Sequence, residues 1–206
     1  MGKNCSSIII NVLTKLGVNQ PAISFKNLRR EHLKALEKKY NIVIPKEYKE
    51  FLESYDETFF EKEIIYKPIE PSPVMTKEGK QYFDGFYGLM SENNINQQIE
   101  SYENRIPGNL VPIGECPAGN LICIGVNEPV FGKIYFWNHE NELEAKLMIG
   151  EKADIENIDS YWDNVYLISE SFVDFLNNLE IEDEFENEDV DVEEVDLWLD
   201  DDLMDD

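Results

Sequence analysis

The sequence is poor in the residues that most often carry chemistry. Two histidines (His32, His139) and three cysteines (Cys5, Cys116, Cys123) are all that 206 residues supply. No two cysteines form a C-x-x-C pair, so a zinc site is poorly supplied, and the thiols are expected to be reduced in a cytoplasmic protein. The chain contains no GxxxxGK[ST], GxGxxG, GxSxG or HExxH, which removes the enzyme classes that short motifs reveal. No apolar run approaches the ~18 to 20 residues needed to span a bilayer. Residues Ser6 to Leu16 have neither the length nor the cleavage-site composition of a secretory signal. No cofactor, metal or membrane partner is expected.

Basic residues are also scarce, 18 Lys and Arg against 43 Asp and Glu, for a formal charge of −25. That balance opposes binding to nucleic acid or an anionic membrane and favours a basic protein partner. Sixteen of the 43 acids lie in residues 180–206 and none of the 18 bases does, so the preceding 179 residues carry a net charge near −9. Such a tail is expected to be disordered when free. Its tip sets Val195, Leu197, Trp198, Leu199, Leu203 and Met204 among acids, a composition that can fold onto a basic, apolar-patched partner or serve only to keep the chain soluble. The candidate partner-binding residues are Asp183, Glu184, Glu186, Glu188, Asp189 and Trp198.

Two motif matches fail on physical grounds. Asp189 to Glu194 begins like a calcium loop, but Glu194 stands where the sharp turn needs glycine. Met1-Gly2-Lys3-Asn4-Cys5-Ser6 fits the N-myristoylation pattern, with Cys5 placed for a second acyl chain. A body this acidic is repelled from the anionic leaflet that assists a single anchor, and we read the match as coincidence.

With 42% hydrophobic and 12% aromatic residues, the chain can bury the core of one ordinary domain plus extensions. Its centre, residues 106–139, holds three short apolar runs, Leu110 to Ile113, Leu121 to Ile124 and Ile134 to Trp137, each bounded by Gly, Pro or Asn. These are expected as consecutive antiparallel strands. Gly119-Asn120 supplies two residues tolerant of positive φ before the second run, and Gly132 follows Pro129 before the third. Pro112 cannot donate to a ladder, which places its run at an edge or a bulge. In the third run Ile134 and Phe136 alternate with Tyr135 and Trp137, so both faces of that strand are expected to be covered.

Helices flank this centre. Ser6 to Leu16 has helical spacing, with Ser6 or Ser7 as N-cap and Gly17 as terminator. Phe25 to Tyr40 places Leu28, His32, Leu36 and Tyr40 four apart, which puts His32 partly buried on the inner stripe. A further helix over 45–54 carries Tyr48, Phe51, Leu52 and Tyr55, and Asn93 to Tyr102 reads as another. Ser171-x-x-Asp174 opens a closing helix with Phe172, Phe175, Leu176 and Leu179 inward. Ile64 to Tyr66 is an expected strand, as are Ala145 to Ile149 and the stretch Tyr161 to Ile168 that returns Trp162, Val165 and Leu167 toward the core. The proline-bearing stretch 67–81 reads as an irregular loop, either a binding surface or a plain connector. Cys116 and His139 could form a nucleophile and base, but no third group is evident to orient them. Structural roles are expected for both, with the His139 imidazole hydrogen-bonding neighbouring backbone to lock a turn.

Order and spacing carry a resemblance. The words L-V-P-I-G (110–114), G-N-L-I-C-I (119–124), G-K-I-Y-F-W-N-H-E (132–140) and S-F-V-D-F-L-N-N-L (171–179), preceded by L-E-K-K-Y-N-I-V-I-P-K-E-Y-K-E-F-L-E-S-Y (36–55), resemble the SUKH superfamily. This is the Smi/Knr-type domain shared by fungal cell-wall regulators and many bacterial immunity proteins. Tyr55-Asp56 stands where that family usually has Asn-Gly, which implies an altered first loop. The resemblance implies an α+β fold, a central, mainly antiparallel sheet packed by helices from both ends of the chain, with the acidic tail beyond it. The expected division is an N-terminal extension over 1–26, the SUKH-like domain over 27–179, and the tail over 180–206. The implied function is non-enzymatic: an immunity protein that binds and neutralises a cognate, basic, nuclease-type toxin of a bacterial polymorphic toxin system. The alternative is a regulatory scaffold like the fungal members.

Overall fold

In the computed structural model, which describes residues 5–19, 21, 23–148 and 158–182, three helices come first. α1 spans Cys5–Lys15, α2 Lys26–Tyr40 and α3 Lys46–Ser54. Left-handed residues end the first two, Gly17 at φ 83° and Asn41 at φ 51°, which lets the last turn close without extending. The inner face of α2 differs from the expected stripe. Arg29, Leu33 and Leu36 are buried, whereas His32 is exposed and Leu28 is 46% exposed. The stripe is turned by one residue because Arg29 does what no leucine could. Its Nη1 donates to the Ser54 carbonyl at 3.0 Å, placing a cation at the C-terminus of α3 where the helix dipole favours one.

Seven strands follow among the described residues, all antiparallel: β1 (Thr58–Tyr66), β2 (Gln81–Phe86), β3 (Leu110–Cys116), β4 (Asn120–Gly125), β5 (Ile134–Trp137), β6 (Val165–Ser169) and β7 (Glu180–Ile181). Their order in the sheet is β6-β5-β4-β3-β2-β1-β7. The three central runs are neighbours as expected, and Pro112 lies at a bulge. Pairing passes from Pro112 with Cys123 to Gly114 with Ile122, leaving Ile113 out of the ladder. The turn before β4 uses Ala118 (φ 63°) and Gly119 (φ 73°), not Asn120, which is extended. Asn120 is instead buried, accepting from the His139 backbone N–H and donating to the Pro117 carbonyl.

The register assigns each face. Phe86, Gly114, Ile122 and Phe136 stand opposite one another across four strands, and Gly85, Glu115, Leu121 and Trp137 form the neighbouring row on the other face. On the first face, α1, α3 and α6 (Phe172–Asn177) pack together. Here Phe51 lies 4.8 Å from Phe86 and 5.4 Å from Phe172, and Phe175 sits edge-on to Phe83 at 5.5 Å. Aromatic pairs at such angles add to the burial of their area. On the second face α4 (Ile95–Ser101) packs on β3, and Tyr102 meets Trp137 edge-on at 5.5 Å. All four residues of β5 are buried, so both its faces are covered.

α6 begins as expected, with the Ser171 side chain accepting from the Asp174 N–H. Residues Leu143–Met148 form helix α5, not the strand expected over 145–149. Leu, Glu, Ala, Lys and Met are all strong helix formers, and that propensity outweighed a short apolar run. The tail also starts later than its composition suggests. Glu180 and Ile181 pair with Ile65 and Ile64 of β1, and the Glu182 N–H donates to the Glu63 carbonyl at 2.9 Å.

β7 therefore belongs to the stability unit. A chain ending after Glu182 is expected to melt within about 2 °C of the full chain. One ending after Leu179 should melt about 5 °C lower, since each ~1 kcal/mol is worth roughly 2–4 °C in a domain of this size. Calorimetry of both truncations checks this, and equal melting of the two would show that β7 contributes nothing.

Candidate partner-binding surface

The residues that might have formed an active centre are held apart. Cys116 is buried, and burial first, then the Asp84 charge, pushes its thiol well above the ordinary range. A thiol in that state yields no thiolate nucleophile. His139 sits among side chains and not against backbone carbonyls. Its Nδ1 lies 3.3 Å from Arg105 Nη2 and 3.2 Å from Glu142 Oε1, and its ring lies 5.9 Å from that of Trp137. Arg105 grips Glu142 with both nitrogens, Nε to Oε2 at 2.9 Å and Nη2 to Oε1 at 3.1 Å, and lies over the Tyr102 and Trp137 rings. This bidentate, aromatic-stacked guanidinium fixes the segment after β5. His139 is one wall of it, and the imidazole lies against these side chains where a bond to neighbouring backbone was expected.

Other singled-out residues have similar fates. Cys5 opens α1, part-buried, with its thiol pushed up to about 11 by burial and then by Glu50. A cleft of about 480 Å³ between α4 and β3 is lined by Tyr40, Tyr102, Glu103, Ile106 and Pro112; within it Tyr40 Oη bonds Asn96 and Lys39 pairs with Glu100. Among the described residues no group of three or more His, Cys, Asp or Glu side chains is arranged to hold a metal ion. Asp56, in the loop that departs from the family pattern, ties down residues 88–90. Its Oδ1 accepts from the Leu89 N–H at 2.6 Å and the Met90 N–H at 3.1 Å. A Cβ on Gly88 would come 2.1 Å from that same oxygen, so only glycine allows the approach. The candidate residues Asp183, Glu184, Glu186, Glu188, Asp189 and Trp198 lie outside the described residues.

The sequence reading missed a cluster of carboxylates where β1, β2 and β3 meet. Glu115 stands across the ladder from Gly85, which in turn stands across from Phe59, 52% exposed. Between Phe59 and Ile64 the register of β1 shifts, and residues 60–63 bulge away opposite Asp84. The resulting cavity, about 490 Å³, is lined by Phe59, Glu61, Lys62, Glu63, Tyr82 and Asp84 among others. Burial raises the Asp84 carboxyl above the ordinary range. It does the same to Glu115, where the Asp84 and Glu57 charges add to the effect. The opposing influence on Glu115 is the Tyr87 hydroxyl at 3.5 Å. No Lys or Arg forms an ion pair with Glu57, Asp84 or Glu115 among the described residues. The sequence signal was present as an Asp and a Gly inside a strand, residue types that sheets usually exclude.

The described residues form an α+β fold, a seven-stranded antiparallel sheet packed by helices on both faces. Residues 27–178 match the SMI1/KNR4 family (SUKH-1), and the chain belongs to that family. It is 31% identical over 185 residues to the SPbeta prophage-derived uncharacterized protein YokK of Bacillus subtilis (strain 168), covering 84% of this chain and 85% of the relative. Members of the family are generally non-enzymatic immunity or regulatory proteins, and they typically bind partner proteins. Among the described residues no helix is long and apolar enough to cross a membrane.

The raised Glu115 carboxyl makes a signed prediction. A carboxyl whose folded value lies above its unfolded one favours the folded state only while protonated, so that stability is lost as pH rises through the folded value. Glu115→Gln should therefore raise the melting temperature at pH 7 by about 2 °C. The gain should shrink as pH falls and vanish below about pH 3, where the wild-type group is neutral in both states. A variant that melts lower than wild type at pH 7 would show that the carboxylate stabilises the fold.

Proposed function

We propose that this chain is an immunity protein that binds and neutralises a cognate, basic, nuclease-type toxin of a bacterial polymorphic toxin system. The observation that carries this reading is family membership over residues 27–178, joined to a charge of −25. A nuclease is basic where it holds phosphate, so an inhibitor bearing carboxylates can occupy that groove and gain speed of encounter from charge complementarity. A bacterial, prophage-derived relative supports this over the alternative, a scaffold like the fungal regulators. The tail acids Asp183, Glu184, Glu186, Glu188 and Asp189 steer the approach, and Trp198 anchors the tip.

The test is neutralisation. The partner that co-purifies from the native host is identified, and its gene is expressed in a bacterial host with and without this chain. Expression alone should arrest growth, and co-expression should restore it; a harmless partner, or arrest that persists, overturns the immunity reading. In stopped-flow binding, association should slow steeply as salt rises, because exposed charges are screened beyond about 8 Å at physiological ionic strength. Dissociation should respond less, since it reports the packed centre of the interface. An association rate independent of salt would remove the electrostatic argument for a basic target.

A further inference from the structure

One flank of α2 is left uncovered. Beside its buried side, Leu28, His32, Ala35 and Lys39 follow at i, i+4, i+7 and i+11, and all four are exposed. That spacing makes a single stripe along the helix. Facing it runs the segment 88–96, which is tied down at both ends. Asp56 accepts from the Leu89 and Met90 N–H groups, and the Ile95 N–H donates to the Gly88 carbonyl. Between these walls lies a groove of about 470 Å³, lined by His32, Ala35, Leu36, Lys39, Leu89 and Met90 among others. Leu28 and Met90 are among the large apolar side chains left exposed, as is Phe25 where α2 begins.

Charge and tether length say what fits there. In a chain of −25 the lining of this groove includes no acid. The cleft beside Pro112, by contrast, carries Glu100, Glu103 and Asp159, and the β1 bulge carries Glu61, Glu63 and Asp84. α2 itself holds six Lys and Arg against two Glu. Lys39 pairs with Glu100 and Lys34 with Glu31, while Lys38 makes no ion pair among the described residues. An apolar groove beside cations suits an acidic segment with apolar anchors, and the chain has one. Val195, Trp198 and Leu199 fall at i, i+3 and i+4 among Glu194, Asp196, Asp200 and Asp201, the anchor spacing of a helix laid in a groove. The tail departs from the start of β2, where the Tyr82 hydroxyl donates to Glu182 at 3.1 Å. Leu89 stands seven residues beyond Tyr82 along extended chain, about 23 Å away. Thirteen residues lead from Glu182 to Val195, and a coil of that length spans about 20 Å on average. A tether works best when its length matches the gap.

We infer that the groove between α2 and residues 88–96 is the docking site for the tip of this chain's own tail, with Val195, Trp198 and Leu199 against Leu28, Ala35, Leu89 and Met90 and the neighbouring acids toward the α2 cations. The contact belongs to the free protein and goes beyond the immunity reading. A partner that takes the tip must first draw it from the groove, so its apparent affinity is lowered by the fraction of tails that are free. A dock occupied about two-thirds of the time moves the melting temperature by only about 2 °C, in keeping with the small effect expected for truncation after Glu182.

The test is oxidation of Met90 by dilute hydrogen peroxide in the full chain, followed residue by residue by mass spectrometry, because methionine oxidation follows exposure. Trp198→Ala/Leu199→Ala should speed Met90 oxidation about threefold and leave Met148, on α5, unchanged. Leu28→Glu, at an exposed position on the groove wall, should do the same. Combining the tail and wall changes should add nothing further, since both remove one contact. The wild-type rate should be unchanged by about tenfold dilution, as an intramolecular contact requires. Equal Met90 oxidation in wild type and the tail variant overturns the contact, as do additive effects of the two changes. Protection that fades on dilution also overturns it, by assigning the groove to a second copy's tail. Failure here leaves the immunity reading standing, since neutralisation does not require the tip to dock on its own body.

Discussion

The fold depends on strands that have no solvent side. β4 and β5 are buried along their whole length, and β3 nearly so, which is uncommon for an antiparallel sheet, where one face usually meets water. Two apolar faces demand two covering layers. The chain supplies one from its ends, α1 and α3 before the sheet and α6 after it, and the other from α4 and the segment around Trp162, whose ring meets Tyr135 at 5.5 Å. Arg105 follows from the same constraint. A guanidinium clamped to Glu142 and lying on Tyr102 and Trp137 closes the rim of the second layer where apolar cover runs out.

Covering both faces leaves little room for chemistry and directs function to the perimeter. The row that starts in the core at Trp137 and Leu121 runs on through Glu115 and a Gly85 covered by Phe59, itself half exposed. The same row of paired residues is buried at the Trp137 end and half exposed at Phe59. Family membership fits that division, since a binding domain can keep its sheet while its margins change.

What was legible in the sequence follows from how local each signal is. β3, β4 and β5 were readable because Gly, Pro and Asn punctuate them, and α6 because Ser171 and Asp174 spell its cap. Pro112 declared its bulge by lacking a donor. β2 was not readable, since Gln81-Tyr-Phe-Asp-Gly-Phe86 interrupts a strand pattern with an Asp and a Gly. His32 and Leu28 were misplaced because the burial of Arg29 depends on a carbonyl 25 residues away. The carboxylate junction was invisible for the same reason. Glu57, Asp84 and Glu115 come from three elements, and only the pairing of Gly85 with Glu115 and Phe59 brings them together. The tail acids were conspicuous by composition alone, which is why the sequence reading put the binding residues there.

The two-residue strand β7 settles how another polypeptide can approach. β1, nine residues long, would offer an open row of N–H and C=O groups if it were the last strand, a template for stacking a foreign strand or a second copy of the chain. β7 occupies the C-terminal part of that row, pairing with Ile64 and Ile65, and is too short to present a useful template of its own. The bulge in β1 and the acids that follow Ile181 further discourage strand addition and fibril-like growth. Where β7 pairs with β1, another polypeptide meets side chains and not an open backbone ladder.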